Sequence, residues 1–139
     1  LHNSQLGVAV PSATVENVLG DRLLSSLCPA NPAVREFSSA LAGDLARRGI
    51  DHIAAESLNF HPLEHGHHHE RYFIDLSPMT RMLLATCFCK HCRTAAFAGG
   101  IDVETAVRHT RDHVERAVRV ADPEIALPAS LNAVREAKA

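Results

Sequence analysis

The stretch CFCKHC at residues 87–92 places three cysteines and a histidine within six positions. Cys28 is the one other cysteine of the chain, so a four-thiol site built on this stretch needs a residue from far away in sequence. A C-x-C pair does not readily close a disulfide, because that bond requires a defined Cα separation and torsion. Cys89 and Cys92 have the C-x-x-C spacing of redox-active pairs, but such pairs follow a strand, and an apolar helical pattern precedes this one.

Zinc fits the spacing better than disulfide or redox chemistry. Thiolates on one turn of chain can converge on an ion at bond lengths of about 2.3 Å, and a structural zinc site takes four ligands. Cys87, Cys89 and Cys92 supply three of them, and the fourth is either Cys28 or His91. Two alternatives stay open, namely a redox pair and four reduced thiols in a core, where cysteine is common.

The segment from Asn31 to Gly49 carries the signals of a helix. Asn31 is a suitable N-cap, and Pro32 suits the first helical position. Two arginines favour the C-terminal end, and Gly49 can terminate it. Apolar residues recur at three- and four-residue steps, at Val34, Phe37, Leu41 and Leu45.

The regions on either side of this helix are interpreted as strands and loops. Segment 50–57, IDHIAAES, predicts a short strand buried on both faces, as in a parallel sheet, with Glu56 at its end. At the other side, His2 and Asn3 close the first apparent strand. A long loop punctuated by glycine and proline follows, with a helical turn expected at 21–27.

Two more helices follow the histidine-rich region. Ser77 and Pro78 begin one, which we expect to run through the cysteine stretch and to stop at Gly99 and Gly100. Asp102 caps the next, whose apolar stripe is formed by Val103, Val107, Val114 and Val118. Charged neighbours surround His109 and His113 on that helix, so these histidines are interpreted as surface residues rather than a metal pair. A weak last helix is expected at 129–137.

The order of these elements predicts an α/β fold. Long loops follow the strand ends, and the helix-to-strand turn at Gly49 is tight, which is the pattern of a (β/α)8 TIM-like barrel. A whole barrel takes roughly 250 residues, and this chain has 139. We therefore expect one domain, residues 1–139, that is part of a barrel and a fragment of a longer polypeptide.

Composition and charge limit the classes of partner that we expect this protein to bind. The formal net charge is −2, which gives no indication of a nucleic-acid or anionic-membrane partner. The sequence contains neither an apolar run of about 20 residues nor a signal-peptide pattern. Four cysteines in a chain of this size are not a secreted disulfide scaffold, so a cytoplasmic location is expected. Half a barrel would expose apolar faces, so we expect homo-oligomers or docking onto the rest of the same polypeptide.

A family resemblance adds to this interpretation. The motif CPANPAVREF, then an amphipathic helix, a strand ending in glutamate and the motif CFCKHCRTAAF, together resemble the catalytic barrel of glycoside hydrolase family 42 β-galactosidases over residues 28–97. In that family the corresponding four cysteines bind zinc. The resemblance therefore implies a four-cysteine site made of Cys28, Cys87, Cys89 and Cys92, with Zn²⁺ as a structural cofactor and a carbohydrate as substrate.

The resemblance also implies a catalytic residue. Glu56 corresponds to the family's acid/base glutamate, although Ala55 stands where the family has asparagine. Burial at the mouth of a barrel strand would raise the pKa of such a glutamate and suit it to act as general acid. Retaining glycosidases need two carboxylates, and the second would lie on a strand beyond Ala139. Whether the chain alone is an enzyme is left open.

Polar residues near the strand ends are interpreted as sugar-binding. Asn3, Asn59 and His2 can hydrogen-bond sugar hydroxyls. Six of the ten histidines fall between positions 52 and 69, and we expect the loop HPLEHGHHHER to act as a lid. Its substrate-binding residues are predicted to be His65, His68 and Glu70.

Two other functions compete with the glycosidase interpretation. The histidine loop could hold a second metal, with Glu64 or Glu70 as base, which would make the protein a metal-dependent hydrolase. The loop lacks the HExxH motif and a helix that would fix its geometry. The other alternative is a small zinc-stabilised binding module without catalysis. Metal stoichiometry separates these alternatives, because only the hydrolase requires a second, histidine-dependent ion.

Overall fold

The computed structural model describes residues 3–55, residue 60 and residues 76–120. Five α-helices, one 3-10 helix and two strands lie within these residues. In chain order they are α1 (Ser4–Ala9), the 3-10 helix (Pro11–Ala13), β1 (Thr14–Glu16), β2 (Arg22–Leu27), α2 (Pro32–Arg47), α3 (Pro78–Leu84), α4 (Lys90–Ala98) and α5 (Val103–Val120). None of these described helices is long and apolar enough to span a bilayer.

The N-terminal segment forms a helix where the start of a long loop was predicted. The side chain of Asn3 is the N-cap of α1 and accepts a hydrogen bond from the Leu6 amide at 2.8 Å. Helix α1 then packs directly on the backbone of β2, since a Cβ on Gly7 would lie 1.8 Å from the Leu24 carbonyl oxygen. Only a residue without a side chain allows this approach.

Strands β1 and β2 form an antiparallel hairpin with an irregularity between Thr14 and Val15. The helical turn expected at 21–27 is therefore wrong, because those residues pair with β1 instead. The side-chain oxygen of Asn17 accepts from the backbone amides of Leu19 and Asp21, both at 2.9 Å, and so holds the connecting turn. Asparagine side chains stabilise turns in this way without any contribution from distant residues.

The predicted capping residues of helix α2 are confirmed. The Asn31 side chain accepts from the Ala33 amide at 3.0 Å, Pro32 is the first helical residue, and Gly49 follows the helix with a φ of 75°. Its apolar face is buried only at the start, at Val34. Phe37 and Leu41 are 41% and 49% exposed within the described part of the chain.

Residues 50–55, predicted to be part of a buried strand, adopt neither helix nor strand. Ile50 and Ile53 are exposed there. Glu56, the predicted end of that strand, lies outside the described residues. The sheet found in the described ranges is the antiparallel hairpin, so the parallel sheet and the barrel stay predictions.

The second predicted helix is confirmed at its start and wrong in its extent. Ser77 caps α3, accepting from the Thr80 amide at 3.1 Å. The helix ends at Leu84 rather than running through the cysteines, and α4 begins only at Lys90. Between them the chain is held away from helical geometry, because the Phe88 amide donates to the Glu16 carbonyl of β1 at 2.7 Å.

Helix α5 is the longest of the described helices, and it completes the apolar core. Asp102 caps it by accepting from the Thr105 amide at 3.1 Å, as predicted. Its buried face packs against α3 and the hairpin turn in a cluster of Val18, Leu83, Phe88, Ala106 and Val114. Arg111 on the same helix donates to the Val18 carbonyl oxygen at 2.8 Å, which fastens the helix to the turn.

Candidate metal centre

Cys28 lies at the point where the hairpin ends and the approach to helix α2 begins. Its amide donates to the Ala13 carbonyl at 2.9 Å, and its carbonyl accepts from the Asn31 amide at 3.0 Å. The backbone on both sides of the thiol is therefore fixed by β-type pairing and by the helix cap. With 1% of its surface exposed, Cys28 points into the protein.

The other three cysteines lie on and just before helix α4. Cys87 and Cys89 flank the Phe88 amide that binds β1, and Cys89 is the N-cap residue of α4 in an extended conformation. Cys92 follows in the first turn of the helix. The Arg93 Nε donates to the Phe88 carbonyl at 3.0 Å and steadies this bend.

The four sulfur atoms meet in one cluster. From Cys28 Sγ, the distances are 3.5 Å to Cys92, 3.6 Å to Cys89 and 3.8 Å to Cys87. All four lie within 4.8 Å of one another. A tetrahedral ion with metal–sulfur bonds of about 2.3 Å separates its ligands by about 3.8 Å. The cluster can therefore hold a metal ion, and its cysteines are free rather than disulfide-bonded.

The surroundings of the cluster are apolar and mostly buried. Cys28, Cys87 and Cys89 are buried, and Cys92 is half-buried. Val15 is buried against the sulfurs, and Leu23 and Ala30 pack around them. Soft thiolate donors in such a setting select zinc or iron over harder cations such as Mg²⁺ and Ca²⁺.

Close packing shifts the pKa values of the thiols in opposite directions. Hydrogen bonds with Cys28, and then with Cys87 and Cys92, lower the pKa of Cys89 because they stabilise its thiolate. Interaction with Cys28 is the largest cause that raises the pKa of both Cys87 and Cys92. The pKa of Cys28 itself is lowered, chiefly by Cys87. A cation that takes all four as thiolates removes this competition for protons, so binding releases protons and weakens as pH falls.

A cavity of about 180 Å³ adjoins the cluster. Cys87 and Cys92 contribute to its wall on one side, and the rest is mainly apolar and comes from Phe60, the bend before α4, α4 itself, and the start of α5 with the residues before it. Phe88, Ala96, Ile101 and Ala106 are among the lining residues. The half-buried Cys92 therefore borders open space, whereas Cys28 is absent from that wall.

The structure resolves one alternative left open by the sequence. The group of side chains that could hold a metal ion contains Cys28 and the three cysteines of the stretch, and His91 is not a member. The long-range part of the prediction is thus confirmed at the level of geometry. Within the described residues, no second group of metal-ligating side chains is found.

Most of the predicted sugar-binding residues lie outside the described residues. This applies to the candidate acid/base Glu56 and to His2, Asn59, His65, His68 and Glu70. Asn3 is described, and its side-chain oxygen caps α1. The sugar-binding role of all these residues stays a prediction.

Sequence reasoning missed the burial of His113. This residue was expected on the surface but is 1% exposed in α5, where its Nε2 lies 3.4 Å from the Thr80 hydroxyl. Its Nδ1 and the Thr110 hydroxyl have no hydrogen-bond partner among the described residues. Desolvation, followed by the charge of Arg116, lowers the pKa of His113. The sequence does contain a signal for this burial. Ala106, Thr110 and His113 follow one another at steps of four and three residues, which places them on one face of the helix.

Comparison with known proteins does not assign this chain to a family. No family model matches the chain, and no solved structure matches it. An acetate kinase from Thermosynechococcus vestitus is 28% identical over 117 residues, which covers 77% of this chain. The chain spans only 28% of the length of that relative. At this identity and coverage, the similarity does not establish a family.

Proposed function

We propose that the four cysteines bind one Zn²⁺ and that this ion is structural. The observation that carries the proposal is the sulfur cluster, in which Cys28 lies 3.5 to 3.8 Å from the three other sulfurs. These separations agree with the edge of a tetrahedral zinc–thiolate site, about 3.8 Å. A set of four protein ligands leaves no open coordination position for a water or a substrate, so the ion stabilises the fold rather than performing chemistry.

The position of the cluster supports a structural role. One ligand, Cys28, belongs to the junction of β2 and α2, and the three others belong to the bend between α3 and α4. In the described part of the chain, the hairpin and the helices that follow Ser77 are also joined by the Phe88–Glu16 backbone hydrogen bond, the Arg111–Val18 contact and the apolar cluster around Val18. Because a site of this kind does not exist in the unfolded chain, zinc-binding free energy is folding free energy.

Metal analysis tests the proposal directly. We expect about one zinc per chain by mass spectrometry of the metal content, and loss of that zinc when the four cysteines are replaced by serine. His91→Ala is the matched control, since it changes a potential ligand in the same stretch that lies outside the cluster. A chelator should lower the Tm of the native chain. Detection of iron in place of zinc, or a Tm that does not change when the chelator is added, would contradict a structural zinc site.

We further propose that the chain is a segment of a cytoplasmic glycoside hydrolase-like barrel that acts on a carbohydrate. Support comes from the resemblance of CPANPAVREF and CFCKHCRTAAF to family 42 β-galactosidases. That resemblance implies that Cys28 joins the later triplet, and the sulfur distances agree with this pairing. Glu56 is the proposed acid/base, and the second carboxylate belongs to the rest of the polypeptide.

A glutamine substitution tests the glycosidase proposal. In the complete polypeptide, Glu56→Gln should abolish glycoside turnover without changing the Tm, because it removes the proton donor and little else. Glu36→Gln on the exposed face of α2 is the matched control and should leave turnover unchanged. Unchanged turnover in Glu56→Gln removes the catalytic role. A second ion that disappears on alanine substitution of His65, His67, His68 and His69 would favour the metal-dependent hydrolase instead.

A further inference from the structure

We propose that Cys92 is a site of peroxide oxidation in the metal-bound chain, and that Cys28 captures the oxidised sulfur in a disulfide that expels the ion. This inference rests on the proposed zinc centre, because zinc holds all four sulfurs in the nucleophilic thiolate form. It adds a chemical reactivity to a centre whose first role is structural.

Access separates the four ligands. Cys28, Cys87 and Cys89 are 1%, 8% and 3% exposed, whereas Cys92 is half-buried. Cys87 and Cys92 both border the cavity of about 180 Å³, which is several times the volume of about 30 Å³ that one water molecule occupies in the liquid, and Cys92 is the more exposed of the two. Hydrogen peroxide is only slightly larger than water, so it can enter there. Susceptibility of thiolates to oxidation follows thiolate character and exposure, and on that basis Cys92 reacts first.

Proximity makes Cys28 a suitable partner. Of the three sulfur–sulfur distances measured from Cys28 Sγ, the one to Cys92 Sγ is the shortest, at 3.5 Å. A sulfenic acid on Cys92 would therefore face a thiolate that needs to move by only about 1.5 Å to reach a bond length near 2.05 Å. Internal attack has the advantage that the Cys28 thiolate is already beside this sulfur, whereas a solvent thiol has to enter the protein first.

The chemistry balances with peroxide as the two-electron oxidant. The Cys92 thiolate attacks one peroxide oxygen, the O–O bond breaks, and hydroxide leaves, which gives the sulfenic acid. The Cys28 thiolate then attacks that sulfur, the S–O bond breaks, and a second hydroxide leaves as the S–S bond forms. With two protons from solvent, the sum is two thiolates and one peroxide converted to one disulfide and two waters. The ion loses two of its four ligands and dissociates.

The product preserves a link between the same two regions. A Cys28–Cys92 disulfide joins the β2–α2 junction to the first turn of α4, across 64 positions of sequence, as the ion did. Oxidation would therefore replace a metal link by a covalent one, and reduction with zinc present would restore the original. We expect the oxidised chain to resist a chelator that unfolds the reduced chain.

The test treats zinc-loaded chain with stoichiometric hydrogen peroxide and follows zinc release with a chelating dye. We expect release of about one zinc per chain, a Cys28–Cys92 disulfide in the peptide map, and full reversal by a dithiol reductant. A chain that takes up no zinc before oxidation overturns the zinc centre and this inference with it. A loaded chain that keeps its zinc, or that forms a Cys89–Cys92 disulfide instead, overturns this inference and leaves the zinc centre intact.

A variant isolates the first step. In Cys28→Ser the resolving thiol is missing, so dimedone should trap a sulfenic acid on Cys92 that the native chain does not accumulate. His91→Ala, next to the oxidised residue but outside the cluster, should behave like the native chain. If Cys28→Ser does not fold, the disulfide map of the native chain still decides the question, because it names the two sulfurs that react.

Discussion

Helices α2 and α5 are both long, amphipathic and properly capped, yet they differ in what their apolar faces contact. Helix α5 has 18 residues and packs with α3 and the hairpin turn, so that Val114 is fully buried. Helix α2 has 16 residues and buries only Val34, while Phe37 and Leu41 stay largely exposed in the described part of the chain. Capping residues thus decide where a helix begins, whereas burial depends on which distant segment supplies a partner.

The largest expected effect comes from a matched pair of leucines. Leu83→Ala removes a side chain that is fully buried between α3 and α5, and we expect it to cost about 2–5 kcal/mol of the free energy of unfolding. Leu41→Ala on α2 should cost well under half as much, because that side chain is 49% exposed. Urea unfolding of both variants measures the difference. Equal losses would mean that the face of α2 is covered in solution.

A pair of glycines gives the next largest effect. Gly7→Ala would place a Cβ 1.8 Å from the Leu24 carbonyl oxygen, so α1 has to move off β2 at a cost of about 1–3 kcal/mol. Gly43→Ala on α2 meets only the flexible end of Arg47 at 3.4 Å. It should raise stability by roughly 0.5–1 kcal/mol, since alanine favours a helix. A stable Gly7→Ala variant would refute the direct contact between α1 and β2.

The two helix caps should respond alike, although the helices are buried so differently. Asn31→Ala and Asp102→Ala each remove a side-chain acceptor for an amide in the first turn, and each should cost about 1 kcal/mol. Thermal unfolding of the two variants, with the exposed Glu36→Ala as control, provides the measurement. A loss confined to Asp102→Ala would show that capping matters only where the helix is packed.

The smallest effect is a pH dependence that arises from His113, a residue buried in the well-packed helix α5. The pKa of His113 is lowered below its ordinary 6.5 by burial and by Arg116, so the folded chain holds this imidazole neutral. Its contribution to stability is complete above pH 6.5 and is lost as pH falls below that value towards the lower pKa of the folded state. His113→Gln should flatten the slope of Tm against pH in this range. An unchanged slope in His113→Gln would place its titration at the ordinary pKa.

Short-range signals in the sequence predicted much of this structure. Asn31, Ser77 and Asp102 each begin a helix, and Gly49 follows the end of one, because capping is an interaction between near neighbours. The convergence of Cys28 with the later cysteines was also predictable. A four-thiol metal site needs a fourth cysteine, Cys28 is the one other cysteine of the chain, and the family resemblance implies the same set of four.

Long-range contacts explain the predictions that were wrong. The helix expected to continue past Leu84 is interrupted because the Phe88 amide pairs with β1, which nothing in the local sequence indicates. His113 is buried because α3 packs on that face of α5, although its chain neighbours are charged. Each of these outcomes depends on contact with a segment that is distant in sequence. A local sequence pattern does not indicate which distant segment that will be.

The sequence separation of the sulfurs has a consequence for how the chain tolerates change. Cys28 is separated from the three other cysteines by 59 to 64 positions. The entropy of closing an unfolded loop grows only with the logarithm of its length, so doubling the loop costs only about 0.6 kcal/mol. A change in the number of residues between Cys28 and Cys87 should therefore alter the loop-closure part of the proposed zinc affinity only slightly.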